Sequence, residues 1–135
     1  PEIERLVLTQ VPGSINDEVN VETGRLVRNG GWSTHLPADG EIASGGVDLF
    51  CAGAERTMEA GGRIGVHSWS NGEVEGADLP MDSPEHGFFI DYLEEMLGAP
   101  LGRDFYFFTL QAAPAADIHW MTPEEIEQYG LLTGT

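Results

Sequence analysis

A chain of 135 residues and 14.6 kDa is long enough for one well-packed domain and too short for two ordinary ones, so a single fold is expected to span positions 1–135. With 41% hydrophobic and 21% charged residues it has a globular composition, and it contains neither an apolar run long enough to cross a bilayer nor the pattern of a signal peptide. A formal charge of −17, with every one of the 6 basic residues an arginine, argues against a nucleic-acid partner, and the absence of lysine removes Ser–Lys dyads and Schiff-base chemistry.

Leu6-Val7-Leu8-Thr9 is a short unbroken apolar run ending at Pro12-Gly13, the pattern of a strand buried on both faces. Ser14 and Asp17 then suggest a helix start, with Val19, Thr23, Leu26 and Val27 on its inner face and Asn29-Gly30-Gly31 as its stop. Trp32 to Leu36 reads as a second strand, and Pro37-Ala38-Asp39-Gly40 as a turn. A compact helix follows, with Ser44 as its cap, Val47, Phe50 and Cys51 inward, and Gly53 at its end. Arg63 to Trp69 forms the third expected strand. The acidic, Gly- and Pro-containing segment from Ser70 to Pro84 is either a lid or an ordinary connection. Phe89, Tyr92, Leu93, Met96 and Leu97 lie at helical spacing, as do Phe105, Tyr106, Phe108 and Leu110 after Gly102, and both stripes are expected in the core. Thr122-Pro123-Glu124-Glu125 starts a last helix that Gly130 closes. Strands alternating with helices define an α/β protein with a parallel sheet covered on both faces.

The chemistry gathers where strands end. A serine at the start of a helix is ordinarily a cap, and a lone histidine after a strand is ordinarily structural. Ser44, however, opens its helix where backbone N–H groups are unpaired and an oxyanion is stabilised. Gly45 and Gly46 let a substrate carbonyl approach the backbone, and the Gly45 N–H is a natural oxyanion donor. His67 ends a strand of the same sheet, at the edge where ligands collect in parallel sheets. The turn Pro12-Gly13-Ser14 ends the first strand at that edge and supplies a second donor. His35 is expected within a strand and His86 at the start of a surface helix. Cys51 is the only cysteine, which excludes an intrachain disulfide, and no histidine pair has helical ligand spacing. No metal or cofactor is expected.

These residues carry a likeness. The stretch from Glu41 to Gly53, Glu-Ile-Ala-Ser-Gly-Gly-Val-Asp-Leu-Phe-Cys-Ala-Gly, resembles the nucleophile segment of the Clp protease proteolytic subunit, where an Ala-Ser pair opens a helix that ends in Ala-Gly. Arg63-Ile64-Gly65-Val66-His67 is similar to the family's strand that ends in its catalytic histidine. Val11-Pro12-Gly13-Ser14-Ile15 resembles its oxyanion loop, although one glycine stands where the family has two. Trp120 to Glu125 with Tyr129-Gly130-Leu131 resembles its last helix. The likeness spans nearly the whole chain and is closer still to bacterial Clp-like proteins described simply as alpha/beta hydrolases. It implies a Clp-protease/crotonase-like fold with C-terminal helices, preceded in the family by a strand–helix segment outside these 135 residues.

The implied activity is that of a serine peptidase or hydrolase acting on a peptide or small acyl substrate, in a homo-oligomer. Ser44 would be the nucleophile, His67 the base, and Gly45 and Gly13 the oxyanion donors, with Pro12, Ser14, Gly46 and Trp69 along the substrate. Where the family places its aspartate this chain has Ile118. A shift of one residue makes Asp117 the third member of a triad; the alternatives are a dyad or a carboxylate from Asp78 or Asp82. Two other classes stand beside the hydrolase: a catalytically silent module that binds a peptide or partner protein, and a crotonase-type acyl-CoA enzyme. The latter is disfavoured because no lysine and few arginines are present to hold the CoA phosphates.

Overall fold

The structure, a computed structural model, describes residues 5–11, 17–70 and 73–133. Within them the chain makes the same pass repeatedly. β1 (Arg5–Val7) and β2 (Gln10–Val11) lead to α1 (Asp17–Asn29), and β3 (Ser33–Leu36) and β4 (Glu41–Ala43) lead to α2 (Gly45–Cys51). β5 (Arg56–Met58) and β6 (Arg63–Val66) make a third pass. The odd strands pair in the order β1-β3-β5, all parallel. The even strands form a second sheet, β2-β4-β6-β7, parallel except for β7 (His119–Trp120), which runs antiparallel to β6. A 3-10 turn (Gly76–Asp78), α3 (Glu85–Leu97), α4 (Leu101–Ala112) and α5 (Pro123–Gln128) complete the chain.

The α/β class agrees with the sequence reading, while the single sheet expected there becomes two. Each pass bends between its two strands. At the second bend the Gly40 N–H donates to the Pro37 carbonyl at 2.8 Å, and a Cβ on Gly40 would lie 2.5 Å from Leu36 Cδ1 and 2.9 Å from the Leu8 carbonyl oxygen. Glycine is required there because two backbones and a core leucine meet at one point. β4 and β5, which the sequence reading did not anticipate, have three residues each, too few to leave a periodic signal.

Of the residues expected on the inner face of α1 only Val27 is buried. Val21, Gly24 and Val27 are buried, whereas Val19 and Leu26 are 57% and 68% exposed. The reason is Gly24, which receives the Tyr92 hydroxyl so closely that a Cβ there would lie 2.1 Å from that oxygen. α3 and α4 pack on each other just as tightly, since a Cβ on Gly102 would lie 2.4 Å from the Leu93 backbone. In the stretch expected as a lid or connection, Ser70 makes a bridge with Glu75 and the 3-10 turn spans Gly76–Asp78. The last helix is as the sequence predicts, with Thr122 and Glu125 closing a capping box and Gly130 at φ 66° ending it. Among the described residues no helix is long and apolar enough to cross a membrane.

Candidate active site

β4 ends at Ala43 and α2 begins at Gly45, so the chain turns from strand to helix over one residue, Ser44. It does so at φ 54° and ψ −118°, and Ser44 is the only described residue other than glycine with a positive φ. For an L-residue that conformation costs about 1–3 kcal/mol. The expected cap is absent: the Ser44 side chain makes no capping hydrogen bond, and the residue is exposed. A sharp, strained strand-to-helix turn that leaves a serine hydroxyl outside the helix is the geometry of a nucleophile elbow.

The peptides after it are fixed. The Ser44 carbonyl accepts from Val47 N–H at 3.0 Å and from Asp48 N–H at 3.3 Å. In a trans peptide the Gly45 N–H then points the opposite way, out of the helix start. The next peptide is held by Asn20 of α1, whose Nδ2 donates to the Gly45 carbonyl at 3.0 Å. Gly45 and Gly46 are buried, and Pro12, Gly13 and Ser14, expected to supply a second donor and substrate contacts, lie outside the described residues.

His67 follows β6 directly. Ala43 pairs with Gly65, so β4 and β6 run side by side about 4.8 Å apart, with Ser44 directly after Ala43 and His67 two residues after Gly65. Its Nδ1 lies 2.8 Å from the Ser68 carbonyl oxygen. A carbonyl only accepts, so this bond assigns the proton to Nδ1 and leaves Nε2 as the basic nitrogen. Ser68 is itself anchored: it is fully buried, its N–H donates to the Ala113 carbonyl at 2.8 Å, and its hydroxyl accepts from Ala77 N–H at 3.1 Å.

Asp117 does not come to this imidazole. Antiparallel pairing of β6 with β7 sets Val66 against His119, which leaves Asp117 in the turn before β7, exposed, with its carboxylate accepting from the Ile118 N–H at 2.8 Å. Asp78 and Asp82 are exposed as well. The orienting acceptor on His67 is a backbone carbonyl where a carboxylate was expected.

Ser44 and His67 line one cavity of about 330 Å³, within the size range of small-molecule sites. Trp69, expected along the substrate, lines it too, and so do residues read from sequence as core, namely Phe89, Leu93, Phe105 and Tyr106. Trp69 stacks on Phe89 with centroids 5.9 Å apart, and Phe89 stacks on Tyr106 at 5.6 Å. The Trp69 indole N–H donates to the Tyr106 hydroxyl at 2.8 Å, and that hydroxyl lies 2.7 Å from His86 Nδ1. Burial pushes the Tyr106 phenol up to about 12, the Trp69 bond opposes this, and the charge of Asp48 adds to it. A neutral phenol that accepts from Trp69 and donates to His86 leaves the rings to present their faces.

His86, expected on a surface helix, is 1% exposed because Tyr106 and Phe107 pack edge-on against it. His119 Nε2 contacts Glu125 at 2.8 Å. His35 lies between Thr57 and Glu59, at 2.7 Å from each.

The residue that sequence reasoning passed over is Asp48, a carboxylate that lines the cavity. Its signal was available: it is the one charged residue in the run from Ser44 to Gly53. No family model, curated protein or solved structure matches the chain.

Proposed function

We propose that this chain is a serine hydrolase of the Clp-protease/crotonase-like superfamily that transfers an acyl group from a peptide or ester to water. The observation that carries the reading is Ser44: strained, not capping its helix, and on the wall of the same cavity as His67. In this reading His67 Nε2 takes the hydroxyl proton, Ser44 Oγ attacks the carbonyl carbon, and the Gly45 N–H stabilises the developing oxyanion. The proton passes to the leaving group, and water repeats the sequence to release the acid. Repeated strand-to-helix passes with parallel pairing and helices at the carboxyl end support the superfamily assignment.

The test is a fluorophosphonate probe on the folded protein, with the labelled residue identified by mass spectrometry. Labelling at Ser44 that disappears in Ser44→Ala and slows at least about a hundredfold in His67→Ala is expected. A folded protein that stays unlabelled, or that labels equally in Ser44→Ala, removes the reading. One observation favours the second reading, a silent peptide- or partner-binding module: the Asp117 carboxylate accepts from the Ile118 N–H, while His67 Nδ1 is bonded to the Ser68 carbonyl. Partner binding that survives both Ser44→Ala and His67→Ala, without turnover of any acyl substrate, would establish that module.

A further inference from the structure

The Ser68 carbonyl accepts from the imidazole Nδ1–H of His67, so whatever fixes the peptide between Ser68 and Trp69 also fixes the imidazole. That peptide is gripped on both flanks. Before it, the Ser68 N–H donates to the Ala113 carbonyl at 2.8 Å and the Ser68 hydroxyl accepts from the Ala77 N–H at 3.1 Å. After it, the Trp69 carbonyl accepts from the Ser68 hydroxyl at 3.0 Å and from the Gly76 N–H at 2.9 Å. Ser68 is fully buried, where a polar group left without its partner is costly.

The 3-10 turn that supplies Gly76 and Ala77 lies close against Trp69. A Cβ on Gly76 would sit 2.6 Å from Trp69 Nε1, so glycine is what lets the turn approach near enough to donate to both residues. One position earlier, the Glu75 carboxylate accepts from the Ala115 N–H at 2.9 Å. This bond ties the turn to the segment whose Ala113 carbonyl holds Ser68.

A planar peptide whose two neighbours are both held has little freedom to swing its carbonyl. Such a carbonyl keeps the imidazole proton on Nδ1 and the free electron pair on Nε2. An imidazole without a fixed acceptor at Nδ1 exchanges between its tautomers, and the form protonated at Nε2 takes no proton there.

We propose that Ser68 is the positioning residue for His67, performing through its carbonyl and its buried hydroxyl the orienting role that a carboxylate has in a triad, and that it couples the base to the turn at Gly76 and Ala77. The catalytic consequence rests on the hydrolase reading. The tautomer and the bonds that fix it are measurable without turnover.

The experiment is NMR of the folded protein with isotope-labelled histidine, at a pH where the imidazole is neutral, together with amide hydrogen exchange. In the wild type His67 is expected as the Nδ1–H tautomer alone, with the Ala77 amide protected from exchange. Both readings need no variant, so they decide the matter even where Ser68→Ala fails to fold. In Ser68→Ala a mixture of tautomers is expected, with kcat about ten- to hundredfold lower and KM nearly unchanged.

His67 protonated at Nε2 in the wild type overturns the inference, as does an Ala77 amide that exchanges as fast as an exposed one. A purely structural Ser68 would lower the melting temperature of Ser68→Ala and leave both tautomer and kcat as they were, which also overturns it. Phosphonate labelling of Ser44 at the wild-type rate in Ser68→Ala keeps the hydrolase and removes the role of Ser68. A single Nδ1–H tautomer that Ser68→Ala releases, in a protein whose Ser44 is inert to phosphonate, keeps the hold on His67 and removes the hydrolase.

Discussion

At its carboxyl end α2 delivers the carbonyls of Cys51, Ala52 and Gly53 to two arginines, whereas at its amino end the strained Ser44 makes no capping hydrogen bond. Arg56 is 7% exposed. It donates to Leu131 O at 2.7 Å, to Gly53 O at 3.0 Å and to Gly130 O at 3.1 Å. Arg28 reaches Ala52 O at 2.9 Å, Cys51 O at 3.0 Å and Met96 O at 3.1 Å. The partners of these guanidinium groups are carbonyls, and their charges sit at the negative pole of the helix. Burial lowers the Arg56 pKa, but five donors in a fixed fork hold the proton. A helix fixed at one end can hold a costly conformation at the other.

The largest effect that would break this contrast is chemical. Ser44→Ala is expected to lower phosphonate labelling and ester turnover by about a thousandfold or more while moving the melting temperature little, because alanine bears the same φ cost and no capping bond is lost. A large drop in melting temperature would mean that the hydroxyl holds the structure together. At the other end the expectation reverses. Arg56→Met takes the guanidinium donor from the Leu131 and Gly130 carbonyls, while those of Cys51 and Gly53 keep Arg28, and should cost about 3 kcal/mol in a urea titration, so the fold suffers first. A loss under about 1 kcal/mol would show that these carbonyls find other donors or water. Between them stands Ser44→Gly, which removes the hydroxyl and the strain together. It is expected to raise stability by about 1 kcal/mol while abolishing labelling, and an unchanged or lowered stability would argue that Ser44 is not strained.

Legibility in the sequence follows the same division between local and distant causes. The capping box at Thr122 and Glu125 was readable because every participant lies within four positions. The shared cavity of Ser44 and His67 was readable from one rule about strand ends. The inner face of α1 was readable only at Val27, since the burial of Val21 and Gly24 follows from the Tyr92 hydroxyl, which comes from a helix far along the chain. The aromatic stripes of α3 and α4 showed that one face is covered but not that Phe89 and Tyr106 border a void. Asp117 was misplaced because the register of β6 against β7 is set by pairing between distant segments. His86 was expected at the start of a surface helix, and its contact with the Tyr106 hydroxyl, from a distant helix, lies in the interior.

The smallest effect probes how the open end is held. Asn20 sits on α1 and touches neither Ser44 nor His67 by hydrogen bond, yet its amide fixes the Gly45 carbonyl. In the hydrolase reading it is a positioning residue, because the peptide it holds adjoins the one whose N–H meets the oxyanion. Removing it should loosen the oxyanion donor more than it weakens substrate binding. Asn20→Ala is therefore expected to lower kcat a few-fold to about tenfold with KM nearly unchanged, since an interaction felt mainly in the transition state is the one disturbed. Its cost in stability should be about 1 kcal/mol, that of one partly buried hydrogen bond. A purely structural role would give the stability loss without the change in kcat, and a role in substrate binding would raise KM. Either result would detach α1 from the chemistry and leave the Ser44 turn supported by its own strands alone.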